Sequence, residues 1–242
     1  MLLSDAKRYI INGKEAKELW FGGNKVWEAQ KEYTLLEYVQ TSSSTGGIDI
    51  GYIPTNTTKM ELTFAQLGIE NTSPSSQNDA YLFDAGWGYR ATYRHGYISG
   101  NHLYAVSYSF GTHGFTTGYI ESSGSNAKPI IKKGIKTVLK VYDKKIEVVG
   151  GETGSVDTGT GKVPNTTLLL GGAGYSTSYN FCPQKIYSCK ITNDDGVLVR
   201  DLIPVLKTED KIPYLYDLVN KEYYGPQKGI LLCHGYADTP TL

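Results

Sequence analysis

The residues best suited to chemistry lie in "GWGYRATYRHGYISG", residues 86 to 100. Side chains alternate along a strand, so Trp87, Tyr89, Tyr93, His95 and Tyr97 share one side and Arg90, Thr92 and Arg94 the other. Aromatic rings stack on the C–H faces of sugars, while charged and imidazole groups pair with hydroxyls. Trp87, Tyr89, Arg90, Tyr93, Arg94 and His95 therefore form a candidate carbohydrate site. The competing reading makes the aromatic side core, because a sandwich buries one face of each central strand.

A second charged feature is the Arg200-Asp201 pair in "KIYSCKITNDDGVLVRDLIPV" (185–205). Neighbours on a strand point to opposite sides, so the two cannot act as one catalytic dyad. They read as bracing for the connection after the hairpin, satisfied by backbone carbonyls or by a group such as Asp217 or Glu209. In "KIYSCKI", Tyr187, Cys189 and Ile191 are expected on one face. "NDDG" (193–196) supplies a tight turn, and Pro204 confines its segment to an edge or a strand end.

Other chemistries find little footing. A β-glucanase needs two carboxylates on one strand face in an E-x-D-x-E run; Glu61 stands alone and "EVVGGE" has no intervening acid. No hydrolase, metalloprotease, nucleotide or dinucleotide fingerprint occurs. His95, His102, His113 and His234 are not spaced as ligand pairs. Asp49, Asp79 and Asp84 stand near loops, where calcium is an open but unfavoured alternative to turn formation. The expectation is no catalytic residue, no metal and no cofactor. Cys182, Cys189 and Cys233 lack zinc spacing and read as reduced thiols; a Cys182–Cys189 bridge stays open.

These residues need strands to position them. "KTVLKVYDKKIEVVGG" (136–151) alternates as a hairpin about Asp143-Lys144, with Thr137, Leu139 and Val141 on one side. "HLYAVSYSFG" (102–111) and "TTLLLGG" (166–172) read as further strands, and "GIENTSPSSQNDA" (68–80) as a polar surface loop. No stretch longer than about ten residues shows helical spacing. The fold class is all-β, a two-sheet antiparallel sandwich. Residues 1–31 stand apart as a small β-meander about Asn12-Gly13 and Gly22-Gly23-Asn24. Too short to bury Trp20, Phe21 and Trp27, it reads as an assembly segment, and residues 32–242 as the main domain.

Composition narrows the partners. Among 242 residues, 24 basic side chains balance 24 acidic ones, which argues against nucleic acid. The 28 glycines and 20 tyrosines, beside 2 methionines, favour turns and strands. No apolar run suits a secretory signal or a membrane span, so synthesis in a cytoplasm without a signal peptide is expected.

"KIYSCKITNDDGVLVRDLIPV" followed by "PYLYDLVNKEYYGPQKG" (213–229) resembles the closing signature of a concanavalin A-like lectin/glucanase (LamG-like) jelly-roll domain found in phage and prophage tail proteins. "YTLLEYVQTSSSTGGIDIGYIPTNTTKMELTF" (33–64) resembles its opening strands, departing at Gly47-Ile48-Asp49-Ile50. "LFDAGWGYR" and the 136–151 hairpin fit the same template, and "AKELWFGGNKVWE" is similar to short phrases that precede such domains in tail, baseplate and fibre proteins. The resemblance covers about residues 33 to 235. It implies a jelly roll in a non-enzymatic virion tail, baseplate or fibre component. It also implies that residues 1–31 attach to other tail subunits, that the jelly roll binds a host-surface glycan or decorates the particle, a homo-oligomer and no membrane insertion. The alternative is a bacterial carbohydrate-binding adhesin or glycoside hydrolase of the same fold.

Overall fold

The computed structural model describes residues 10–11, 14–15, 18–21, 24–28, 32–42, 47–55, 57–68, 78–86, 89–98, 101–110, 118–124, 128–142, 145–151, 153–155, 164, 166–172, 183–226 and 232–236. Among the described residues there are strands and no helix. β1 (Ile10–Ile11) pairs with β2 (Lys14–Glu15), and β3 (Glu18–Phe21) with β4 (Asn24–Glu28). These are two separate two-stranded ribbons.

The remaining strands are β5 (Tyr33–Gln40), β6 (Ile48–Asp49), β7 (Lys59–Gln66), β8 (Asn78–Asp84), β9 (Tyr89–Ile98), β10 (Asn101–Phe110), β11 (Gly118–Gly124) and β12 (Thr137–Tyr142). β13 (Lys145–Val148), β14 (Thr153–Ser155), β15 (Leu169–Leu170), β16 (Gln184–Thr192), β17 (Leu198–Lys207), β18 (Pro213–Asp217), β19 (Tyr223–Tyr224) and β20 (Cys233–Tyr236) follow. They build two antiparallel sheets. The smaller has the order β11-β10-β9-β8-β15-β6; the larger runs β14-β13-β12-β7-β16-β5-β17-β18-β19, with β20 on β5.

One apolar cluster joins the sheets: Leu62, Phe64, Leu139, Ile186 and Ile191 from the larger, Phe83, Tyr89, Tyr93 and Leu170 from the smaller. A fully buried side chain of this size contributes roughly 1.5–3 kcal/mol, so this interface dominates the fold. Hydrogen bonds cross it as well. Gln184 Nε2 donates to the Leu82 carbonyl at 3.2 Å, and the Tyr89 hydroxyl to the Thr58 carbonyl at 3.2 Å.

The hairpin 136–151 forms with Leu139 and Val141 inward, opposite Val148 and Ile146. The NDDG turn forms as well: Asn193 Oδ1 accepts from the Asp195 and Val197 amides, and Gly196 takes a φ of 79° that suits glycine. Two local expectations are corrected. Tyr187 does not share the face of Cys189 and Ile191, because a register shift between Ile186 and Ser188 turns it outward. Pro204 is not at an edge: β17 is flanked by β18 on one side, and on the other by β16 up to Leu202 and by β5 from Val205. Pro204 sits where the partner changes, at a position where no ladder bond is asked of its nitrogen.

β20 has no buried residue, so its backbone ladder and one ring hold it. Gly235 lies opposite Tyr38, and a Cβ there would come within 2.7 Å of the Tyr38 Cζ. Tyr38 is itself pinned by the Lys185 ammonium 4.1 Å from its ring centre. Gly235→Val should therefore cost about 1–3 kcal/mol, read as accelerated amide exchange at residues 233–236 with the core amides unchanged.

Candidate functional site

The predicted aromatic stripe lies largely in the core. Tyr89 and Tyr93 are fully buried, with the Phe83 and Tyr89 ring centroids 5.5 Å apart. They are corrected from ligand platform to core, since β9 is an interior strand whose Tyr89, Ala91 and Tyr93 join the apolar cluster between the sheets. Arg90 is half-buried on the other face, in register with Asp84. Arg94 and His95 lie on β9 opposite Asp79 and Asn78. Trp87, the Arg94 and His95 side chains, and those of Trp20, Phe21 and Trp27 on β3 and β4 lie outside the described residues.

Arg200 and Asp201 face opposite ways. Arg200 Nε donates to the Ile50 carbonyl at 3.3 Å and Nη2 to that of Gly51 at 3.2 Å, while Nε stands 3.5 Å from Asp217 Oδ2. Asp201 meets Lys190 at 3.6 Å on the outer face. Asp217 is fully buried and accepts from the Asp201 and Val219 amides and from Asn220.

Of the three loop acids, Asp49 accepts from Thr167 Oγ1 at 2.6 Å and from the Gly51 amide, and Asp84 from the Gly86 amide. Both act as turn formers; the Asp79 side chain is outside the described residues. Among the described residues no three His, Cys, Asp or Glu side chains converge as a metal site. Cys189 is buried, and burial pushes its thiol well above the ordinary range; Cys233 is exposed, and Cys182 lies outside the described residues.

The open aromatic surface is elsewhere, on the outer face of the larger sheet. In β18, Leu215 enters the core; Tyr214 and Tyr216 take the other face, Tyr214 half-buried and Tyr216 buried at 5% exposure beneath its neighbouring rings. Tyr216 is directly opposite Tyr223 of β19. Ile203 and Val205 of β17 stand opposite Tyr216 and Tyr214, and Lys207 stands opposite Tyr33 of β5. Ring centroids are 4.8 Å apart for Tyr33 and Tyr216, 4.6 Å for Tyr216 and Tyr223, and 5.6 Å for Tyr214 and Tyr223. Leu35 continues the patch at 56% exposure.

Its rim is polar. The Tyr214 hydroxyl donates to Asp210 Oδ2 at 3.1 Å. The Lys207 ammonium lies 3.2 Å from Glu209, 3.9 Å from Asp210 and 5.2 Å from the Tyr223 ring centre. Burial first, then Glu32 and the neighbouring phenols, pushes Tyr223 up to about 12. Burial likewise raises Tyr214 and Tyr216. The rings keep their protons and act as donors. Clustered phenols with carboxylates at the margin can stack on a sugar's C–H face and pair its hydroxyls.

Sequence reading missed this site. The signal was the tyrosine spacing in "PYLYD", which presents two rings on one strand face, with one ring of "EYYG" beside them. Tyr33, from the start of the domain, carries no local sign of joining them.

No protein family profile matches the chain. No curated protein matches it either. A solved structure that does is the enzymatically active domain of bacteriophage CBA120 tailspike protein 2. It is 11% identical with a TM-score of 0.34, over 67% of this chain and 28% of that one. The chain thus spans under a third of that domain's length.

The expectation that the chain is not an enzyme is corrected here. It rested on a missing spacing along one strand, whereas that tailspike domain is titled enzymatically active.

Proposed function

We propose that the chain is a carbohydrate-binding part of a phage tail, built as a concanavalin A-like jelly roll, with residues 1–31 attaching it to other tail subunits. The observation that carries the binding reading is the four-tyrosine patch, in which the half-buried rings of Tyr33, Tyr214 and Tyr223 are held around the buried ring of Tyr216 and bordered by a hydrogen-bonding rim. Aromatic area that is partly open, rigid and bordered by acceptors suits saccharide better than it suits an apolar partner. The tail assignment is supported by the closing motif at 185–229 and by the N-terminal phrase "AKELWFGGNKVWE". Binding needs no metal in this reading.

The test is titration of the purified protein against bacterial surface polysaccharides. Tyr33→Ala and Tyr223→Ala should each weaken binding about tenfold or more, equal to about 1.4 kcal/mol, and chelator should leave it unchanged. Equal affinity of both variants and the parent would remove the patch from the reading.

A further inference from the structure

A second tyrosine pair lies on the same outer face, farther along β5. Tyr38 of β5 and Tyr187 of β16 meet edge to face, with ring centroids 5.8 Å apart. The register shift between Ile186 and Ser188 is what brings Tyr187 out to this position. Each ring lies under an ammonium: Lys185 is 4.1 Å from the centre of Tyr38, and Lys136 is 4.4 Å from that of Tyr187. The nearby acid is Glu37, close enough to act on the Tyr187 phenol.

The charges of these lysines set the patch apart. On the same sheet, Lys140 is paired with Glu61, Lys190 with Asp201, and Lys207 with Glu209 and Asp210. Among the described residues, Lys136 and Lys185 meet rings and no carboxylate. A cation over a ring keeps its outer hemisphere open, and an anion can approach from that side. The four-tyrosine patch has the opposite balance, with Glu32, Glu209 and Asp210 against Lys207. The five-residue step from Tyr33 to Tyr38 along β5 amounts to about 16 Å, a length that an oligosaccharide of several units covers.

We propose that Lys136, Lys185, Tyr38 and Tyr187 form a second subsite, which takes an anionic substituent of the saccharide whose uncharged stretch stacks on Tyr33, Tyr214 and Tyr223. The substituent is a carboxylate, sulfate or phosphate, and the ligand is an acidic polysaccharide. This rests on the carbohydrate-binding reading above. The ammonium groups supply the attraction, the rings hold them in place, and the acidic rim of the first patch keeps the charged units at the lysine end.

The experiment uses the full chain and a panel of bacterial polysaccharides bearing uronate, sulfate or phosphate groups. Each is paired with a chemically neutralised form: carboxyl-reduced, desulfated or dephosphorylated. The parent protein should bind at least one acidic form about tenfold more tightly than its neutral counterpart, with the advantage shrinking as salt is raised. The class that shows the advantage identifies the anion. Lys136→Ala combined with Lys185→Ala should erase the advantage while leaving binding of the neutral form intact and still sensitive to Tyr223→Ala. Lys185→Gln, which keeps most of the side-chain length, checks that lost charge and not lost packing is responsible. Equal binding of acidic and neutral forms by the parent, or a preference that survives the double lysine substitution, overturns the second subsite alone. Binding indifferent to Tyr223→Ala, or absent across the panel, overturns the carbohydrate reading and the subsite with it.

Discussion

Asp217→Ala is expected to lower the unfolding free energy by about 3–5 kcal/mol, the usual effect of leaving one half of a buried ion pair alone. Asp217 is fully buried and accepts from the Asp201 amide at 3.0 Å, the Val219 amide at 2.9 Å and Asn220 Nδ2 at 2.7 Å. It also supplies the negative charge nearest to the Arg200 guanidinium, 3.5 Å from Nε. Removing it strands two amides and leaves Arg200 with the Val199, Ile50 and Gly51 carbonyls. Asp217→Asn keeps the volume and an acceptor but not the charge, so it should fall between the two. Asp201→Ala should change stability by under about 1 kcal/mol, since its partner Lys190 is half-exposed and solvent screens the pair. Urea titration of the three variants separates these values. A loss under about 1 kcal/mol for Asp217→Ala would mean that the buried pair does not brace the 199–219 segment.

The second large effect is at Tyr89. Tyr89→Ala should cost about 3–5 kcal/mol, the range for emptying a buried aromatic site. Tyr89→Phe should cost about 1 kcal/mol, for the hydrogen bond to the Thr58 carbonyl. The phenol also predicts a pH arm. Burial, before the smaller influences of Cys189 and Tyr52, raises its pKa well above 10.0. The folded chain then holds the proton more tightly than the unfolded chain does. This contribution is complete below pH 10 and is lost as pH rises toward the folded value. Urea midpoints should therefore hold steady to about pH 8, fall slightly as the buried Cys189 thiol begins to count, and decline more steeply beyond 10, with a shallower decline beyond 10 in Tyr89→Phe. A Tyr89→Ala protein of unchanged stability but weakened sugar binding would return this residue to a ligand surface.

Tyr89 also shows what the sequence can and cannot say. Alternation told correctly that Tyr89 and Tyr93 share a face, but period two is silent on whether that face looks toward the other sheet or toward solvent. The hairpin at 136–151 and the Asn193–Gly196 turn were legible because their determinants are local: alternating apolar residues and a glycine suited to a positive φ. The opposite directions of Arg200 and Asp201 followed from the same alternation.

Tyr187 and Pro204 were misread because each depends on a neighbouring strand. One sits at a register shift against β7, the other where β17 exchanges β16 for β5. The four-tyrosine patch was hidden for the same reason. Tyr33 reaches Tyr216 only because β5 closes against β17 beside β18, a pairing between the two ends of the domain.

That closure has a mechanical corollary. β20 lies antiparallel on β5, with Tyr236 beside Leu36 and Cys233 beside Gln40, so the entering and departing chain run past one another at a single corner of the sandwich. A force applied to the two ends would peel this ladder open one rung at a time instead of shearing all its rungs together. The last strand would let go first, while the apolar interior between the sheets stayed shut.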